Sequence, residues 1–508
     1  MSIYTILENV KYRDVKDFNI KQNGIQVIHS DLKIEIYNDP FRTIPLFIAK
    51  DRNDGLIIFS NFEDFYTIES IDKTIDKVGF WEIVLFGSGL WTRTLYENVE
   101  QMPSASKITI DKKTNTYTIQ RYWDFNIEVD KSIDSREKAA QGLYDRLDSI
   151  FSKFDKTQKY VMGMSGGMDS RITLAFLSKY IPKENVKLFT FGFDERLLEY
   201  TYACDVASAL GYDTPIFHKL TKDSYIKAMG YLPQMSGGQI AINHCHILDF
   251  LDDNALKGYT KISNYFSDAL FGYDCLFPKK DESISDNYYV KYLDNIHYLS
   301  SKIKKSIISD SKKIFIHFKR ESNYSSLSEY KYLTERNQKF HAYLAYIQKS
   351  DLVLASYDLL HYMISVPIQF REQKQLLDII LDKEFTIINS VNIKNISSRD
   401  FNGVSSGFTL ENKFSAFFEW YTFKFLNRAN AVLRPLTKGY IQLFNKYQTE
   451  EQERLLYRDF HNELKDANNK FVQHGIMTKE QKKIWDTLPL KSAGVGERYT
   501  LIGLGKLI

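Results

Sequence analysis

The chain has 508 residues, 44% of them hydrophobic, which is more length than one core usually supports and enough apolar material to fill two domains. Its 67 Lys and Arg against 64 Asp and Glu leave a balance too even to imply a nucleic-acid or membrane partner. Cys204, Cys245 and Cys275 show no C-x-x-C spacing and leave one thiol unpaired in any disulfide scheme, the opening "MSIYTILENVKYRD" is too charged for a signal peptide, and no run is apolar enough to span a membrane, so a cytoplasmic protein is expected.

Residues 1–125 read as short strands: "IQVIHS", "LKIEIYNDP", "TIPLFIAKDRNDGLIIFSNF" and "SKITIDKKTNTYTIQRYW". Asp54-Gly55 and "DKKTNT" each lie between two apolar runs and predict hairpins. Near Asp130 the pattern turns helical in "DSREKAAQGLYDRLDSIFSKF", so a boundary is expected there, with domains over 1–130 and 131–508. From Tyr160 strands and helices alternate: "YVMGM" then "SRITLAFLSKY", "VKLFTFGF" then "LEYTYACDVASALG", "TPIFHKL" then "SYIKAMGYL". That rhythm predicts an α/β fold with a doubly wound parallel sheet. Beyond about residue 275 the sequence reads as mostly helical, and residues 301–320 carry seven Lys and Arg against Asp310 alone, read as a solvated helix face.

One stretch carries chemistry. In "YVMGMSGGMDSRITLAFL" a strand ends in two glycines, an aspartate and a serine, then opens a helix. The free N–H groups of a first helical turn and the helix dipole suit an anion, and glycine lets backbone approach it closely. No G-x-x-x-x-G-K-[ST] occurs, so the pattern points to a pyrophosphate held by backbone, hydroxyls and a metal rather than by a Walker lysine. Asp169 is placed to hold that metal, and since Mg²⁺ usually takes one or two carboxylates, a second acid is expected elsewhere. A glycine turn without a ligand is the alternative.

Ser165, Gly166, Gly167, Met168, Asp169 and Ser170 resemble the PP-loop of the ATP pyrophosphatases, which split ATP into AMP and pyrophosphate while adenylating a substrate oxygen. Other stretches are similar to the asparagine synthetases of that group. "NDPFRTIPLFIAKDRNDGLIIFSNFEDF" and "RTLYENVEQMPSASKITI" resemble segments of their N-terminal half. "SNYFSDALFGYD" resembles their G-x-G-x-D-E-L-F-G-G-Y loop, with Asp268 on the metal-binding aspartate and Phe271-Gly272 on the turn. "ASYDLLHYMISVP" puts Asp358 on a motif acid, and "REQKQLLDIIL" puts Lys374 on a motif lysine. The resemblance implies ATP and Mg²⁺, with Asp169 and Asp268 as metal ligands. It further implies Ser165, Gly166, Gly167, Asp169 and Ser170 around the phosphates, and adenine near Phe191, Gly192 and the helix from Leu198.

The chain also departs from that pattern. Ser2 stands where glutamine-using members have a cysteine, and the stretches that hold glutamine have no counterpart, so a truncated Ntn-hydrolase-like remnant without glutaminase activity is expected. Tyr265 replaces a glutamate three residues before Asp268, as in β-lactam synthetases, and is either a catalytic tyrosine oriented by a carboxylate or a packing residue. The motif's late cation falls on Arg399 or Lys394, to neutralise a tetrahedral intermediate. Ala269 replaces an acid beside Asp268. His244-Cys245-His246 lacks a second ligand pair and reads as core or pocket lining, and "GVGERYTLIGLGKLI" reads as a packing tail with no helix to receive a phosphate.

The implied function is an ATP-dependent amide-forming ligase. Tyr265, Lys374 and Arg399 are the expected catalytic residues. The partners are a small-molecule or peptide carboxylic acid and an amine or ammonia. The alternatives are an asparagine synthetase using glutamine or ammonia, sulfur transfer to tRNA on the same loop, and a non-catalytic nucleotide-binding protein.

Overall fold

In a computed structural model the chain is described over residues 4–6, 10–248, 254–271, 288–316, 330, 332–371, 374–389, 391, 425, 429, 458–487 and 495–508. It is an α/β protein with one five-stranded parallel sheet and, ahead of it, a four-stranded and a five-stranded sheet packed face to face.

The first small sheet has the order β1 (Tyr4–Ile6), β6 (Leu56–Phe59), β5 (Phe47–Lys50), β7 (Val99–Gln101). The second has the order β2 (Tyr12–Asp14), β3 (Ile25–His29), β4 (Lys33–Tyr37), β8 (Ser106–Asp111), β9 (Thr116–Arg121). Both expected hairpins are present, β5 to β6 and β8 to β9, each turning through a non-glycine residue of positive φ, Asp54 at 58° and Asn115 at 53°. The inward residues alternate along each strand, so Val27, Ile34, Ile36 and Ile108 of one sheet meet Ile48 and Ile58 of the other in a small core.

Two features of this region depart from the strand-only reading. The outermost strands β1 and β2 pair parallel to β6 and β3, which no hairpin can produce. Between β6 and β7 lie helices α1 (Phe62–Thr67) and α2 (Lys77–Phe86). α2 starts because the Asp76 carboxylate accepts from the amides of Val78 and Gly79, and it ends at Gly87 with φ 80°. Its run "KVGFWEIVLF" is apolar on nearly every side because the helix is buried nearly all round.

α3 (Arg136–Phe151), capped by the Ser135 hydroxyl on the Lys138 amide, leads into the parallel sheet. That sheet has the order β12 (Ile216–Lys219), β11 (Val186–Gly192), β10 (Tyr160–Gly163), β13 (Thr260–Ser263), β14 (Ser350–Leu352). α4 (Met168–Tyr180), α5 (Leu198–Ala209) and α6 (Lys222–Ser236) follow β10, β11 and β12 as expected. β13 and β14 were not anticipated: "TKIS" and "SDL" are too short to show a period, and their partners lie about 100 and 90 residues away. The chain runs outward from β10 to β12 and then returns to β13, so β10 and β13 are neighbours whose following segments diverge. In open α/β sheets the crevice at such a reversal is where ligands sit.

The remaining described helices include α7 (Ser267–Phe271), α8 (Tyr288–Asp294), α9 (Ser301–Phe315), α10 (Ala342–Ile347), α11 (Tyr357–Ser365), α12 (Gln375–Glu384), α13 (His461–Gln473), α14 (Lys479–Thr487) and α15 (Val495–Leu504). A π-helix over Tyr332–His341 runs straight into α10. The glycine-containing tail is thus itself a helix, with Leu501, Ile502 and Leu504 buried. One continuous apolar core joins Phe41 and Phe80 of the N-terminal region to Leu174 of α4 and Leu504 of α15. No described helix is long and apolar enough to cross a membrane.

Candidate active site

The glycine turn leaves β10 at the crevice. Met164 still belongs to the sheet, since its amide donates to the Phe189 carbonyl at 2.8 Å and its carbonyl accepts from the Thr190 hydroxyl. The chain then bends at Gly166, φ 71°, where a Cβ would stand 2.6 Å from the Tyr202 Cβ, so only glycine fits both the backbone and the space. Gly167 is the N-cap of α4 and no side chain caps the amides that follow it. A Cβ there would meet the Ser165 Oγ alone, at 3.4 Å, so the turn is open on that side. The Ser165 and Ser170 hydroxyls lie 3.3 Å apart beside it, and the Ser170 hydroxyl donates to the Gly167 carbonyl at 2.9 Å.

Arg171, which the sequence reading passed over, braces this turn from behind. Its Nε donates to the Gly166 carbonyl at 2.8 Å and its Nη1 to the carbonyls of Ile388 and Val391 at 3.2 and 2.6 Å. The side chain is buried, which pushes the guanidinium down to about 10. An arginine inside an otherwise apolar helical run, "SRITLAFL", was the available signal.

Asp169 sits in the first turn of α4, after β10, and Asp268 in the first turn of α7, after β13. The reversal of strand order therefore brings together two carboxylates 99 positions apart in sequence. Lys374 joins them: its Nζ is 2.6 Å from Asp169 Oδ2 and 2.7 Å from Asp268 Oδ1. The lysine stands at φ 57° as the N-cap of α12, a left-handed conformation costing a non-glycine residue about 1–2 kcal/mol. Burial works to lower the Lys374 ammonium, but the charges of Asp169 and Asp268 outweigh it and hold it above the ordinary lysine value. Burial also raises the Asp169 carboxyl, with Lys374 opposing.

The residues fit a divalent cation. Asp169 Oδ1 is buried and accepts no hydrogen bond among the described residues, a costly state for a carboxylate oxygen unless something else binds it. Two oxygen donors from separate elements, one of them with an unused oxygen, suit Mg²⁺ shared with phosphate.

Beyond the carboxylates the crevice carries a row of rings. Phe191, 39% exposed at the end of β11, stacks on His246 at 3.9 Å. His244 lies against Phe340 at 4.7 Å, and Tyr265 stacks on His341, the last residue of the π-helix, at 5.3 Å. Burial, with His244 nearby, pushes the His246 imidazole down to about 3, so it is neutral. Cys245 is buried between these histidines. The carboxylate expected to orient Tyr265 is not found: among the described residues none accepts from its hydroxyl, and burial raises its pKa above the ordinary tyrosine value.

Other sequence-derived candidates lie apart or outside. Asp358 is exposed and paired with Lys21 at 2.8 Å. Asp310 is not on the solvated face of α9 but buried, accepting from Arg93 Nε at 2.7 Å and from Lys313 at 2.9 Å. Ser2, Gly272, Cys275, Lys394 and Arg399 lie outside the described residues.

No family model matches the chain, and no curated protein matches it. Among solved structures it is similar to an NH3-dependent NAD synthetase from Campylobacter jejuni subsp. jejuni NCTC 11168 in complex with the nitrate ion. The identity is 15%, the likeness covers 36% of this chain and 97% of that one, and the TM-score is 0.20. A likeness of that size carries no weight for function, which has to be read from the site.

Proposed function

We propose that the chain is an ATP-dependent ligase that adenylates a substrate carboxylate, releases pyrophosphate and passes the acyl group to an amine. One observation carries this reading: an uncapped helix N-terminus behind an open glycine turn, which suits an anion, adjoins a carboxylate pair that suits a cation. A nucleotide triphosphate with its metal presents both. The resemblance of the turn and of the Asp268 and Lys374 segments to asparagine synthetases supports the same reading. In it, residues 1–130 are a glutaminase-like remnant and 131–508 the ATP-using part.

Ser165, Gly166, Gly167, Asp169 and Ser170 would surround the pyrophosphate portion, with adenine toward Phe191 and Gly192. Asp169 and Asp268 would hold Mg²⁺, which when bound offsets charge on the phosphate oxygens. A substrate carboxylate oxygen bonds to the α-phosphorus as the bond to the bridging oxygen breaks, and the electron pair leaves with pyrophosphate. The amine nitrogen then bonds to the acyl carbon and gives up a proton, and AMP departs with the electron pair of the acyl–oxygen bond. The chain supplies position and charge neutralisation, with Lys374 as the cation already at the crevice.

The test is pyrophosphate release from ATP with a panel of carboxylic acids, alongside hydroxylamine as a trapping amine. Acid-dependent release and hydroxamate formation, both lost in Asp169→Ala, are expected. Release unaffected by Asp169→Ala would remove the assignment.

A further inference from the structure

A second charged centre lies between the N-terminal sheets and the π-helix, and the ligase reading makes no use of it. Arg42, Arg121, Glu335 and Lys339 are all buried there. Glu335 is the carboxylate among them: Lys339 Nζ is 2.7 Å from its Oε2 and Arg121 Nη2 is 3.7 Å from its Oε1, while Arg42 is close enough to feel its charge. Two basic side chains thus pair with one carboxylate and a third lies near it, with burial lowering the Lys339 ammonium and Glu335 opposing. Burial pushes Arg42 down only to about 10, so it stays charged at neutral pH. Glu82, the next buried acid, has its pKa raised by that burial and faces Arg93 at 3.8 Å.

The hydrogen bonds are as incomplete as the charges. Arg42 Nη2 donates to Gln101 Oε1 at 3.2 Å, but its Nε and Nη1 are buried and have no partner among the described residues. Arg121 Nη1 reaches the Tyr330 hydroxyl at 3.3 Å, leaving Nε and Nη2 without one, and the two Glu335 oxygens, though ion-paired with Lys339 and Arg121, likewise accept no hydrogen bond among the described residues. Aromatic faces cover the guanidinium groups, Phe47 against Arg42 and Trp91 with Phe125 against Arg121, so bulk water does not complete them. Lys339 is fixed by the Gly89 and Trp91 carbonyls at 2.9 and 2.6 Å and cannot swing out.

Arg42 also holds φ 53°, a conformation glycine adopts freely and arginine does not. A strained backbone that carries an incompletely bonded cation into the interior is a poor choice for packing alone.

We propose that this centre is a binding site for a small inorganic anion of the halide class, seated against Arg42 Nε and Nη1. The anion completes the donors and offsets the excess positive charge, tying the N-terminal sheets to the π-helix that ends at His341. The proposal is independent of the ligase reading.

The test uses bromide as the probe on the full chain. Crystals grown in sodium bromide should show an anomalous peak against the Arg42 guanidinium. At constant ionic strength, replacing gluconate by bromide should raise the unfolding midpoint by about 2 °C or more. Arg42→Gly, which suits the backbone there, should fold and lose both the peak and the shift. Glu335→Gln, which removes the competing carboxylate, should steepen the bromide dependence and guards against a folding failure in the first variant. Equal midpoints in the two salts with only water against Arg42, or a bromide peak that persists in Arg42→Gly, would overturn the proposal.

Discussion

The Asp169–Asp268–Lys374 centre and the Arg42–Arg121–Glu335–Lys339 centre bury charge in opposite ways. The first has two carboxylates sharing one ammonium, lies where the strand order of the parallel sheet reverses, and leaves a carboxylate oxygen without a hydrogen bond among the described residues. The second has Lys339 and Arg121 paired with Glu335 and Arg42 nearby, has aromatic faces over its guanidinium groups, and leaves N–H donors of both arginines and both oxygens of Glu335 without hydrogen bonds among the described residues. An acceptor left open next to an uncapped helix turn suits a cation that arrives with an anion. Donors left open in the interior suit a ligand that stays, because an unpaired buried group costs about 1–3 kcal/mol whenever the site is empty. The lesson is that what adjoins the unsatisfied atoms, an uncapped helix terminus at one centre and aromatic faces at the other, and not the number of charges, separates a site of exchange from a site of structure.

The comparison breaks first if the crevice carboxylates do not matter to chemistry. Asp169→Asn and Asp268→Asn should each lower pyrophosphate release by about 10²–10³-fold, the usual scale for removing one charge-stabilising group. Far-UV circular dichroism should be unchanged, and loss of fold in either variant would leave Asp169→Glu and Asp268→Glu as the deciding pair, expected to retain part of the activity.

Next comes the turn. Gly166→Ala meets both a positive φ and the Tyr202 Cβ, so a loss of about 2–3 kcal/mol is expected in denaturant melts. Gly167→Ala, whose Cβ would meet the Ser165 Oγ alone at an ordinary contact distance of 3.4 Å, should stay within about 1 kcal/mol of the parent. Equal losses in the two variants would mean that the turn is not shaped as described.

The ammonium of Lys374 separates the two centres directly. Lys374→Met leaves two carboxylates facing each other, so the metal-free protein should lose about 1–3 kcal/mol, and added Mg²⁺ should restore it. Magnesium should have the same effect on Arg42→Gly as on the parent. A magnesium response in Arg42→Gly that differs from the parent's would join the two centres into one.

The smallest effect concerns pH. The His246 imidazole has a folded pKa of about 3, below the ordinary 6.5, so the fold favours its neutral form. Its contribution is present above pH 6.5 and is lost as the pH falls toward 3, amounting to about 2 kcal/mol by pH 5. His246→Phe, which keeps the stack on Phe191, should flatten the acid limb of the stability profile. An unchanged acid limb would show that the ring is not buried as placed.

What the sequence disclosed follows from how local each signal is. The strand, glycine turn and helix around Asp169 lie within about 20 consecutive residues, so period and turn chemistry reveal them together. Asp268 and Lys374 were found through a family resemblance, since nothing in their own neighbourhoods requires them to meet Asp169. β13 and β14 were hidden because three or four residues cannot show a period. The second centre was hidden for a different reason. Arg42 lies in a stretch that drew notice only for its family resemblance, and its partners Arg121, Glu335 and Lys339 lie 79 or more positions away, so only tertiary packing brings them together. The same holds for the Tyr265 and His341 stack, whose members are 76 positions apart.

The most direct test of the central claim is a crystal structure with Mg²⁺ and an ATP analogue whose α–β bridge cannot be cleaved. The pyrophosphate portion should lie on the amides following Gly167, with the metal at about 2.1 Å from oxygens of Asp169 and Asp268 and Lys374 Nζ moved off the carboxylates toward phosphate. A nucleotide bound elsewhere, with Lys374 still lodged between Asp169 and Asp268, would contradict it.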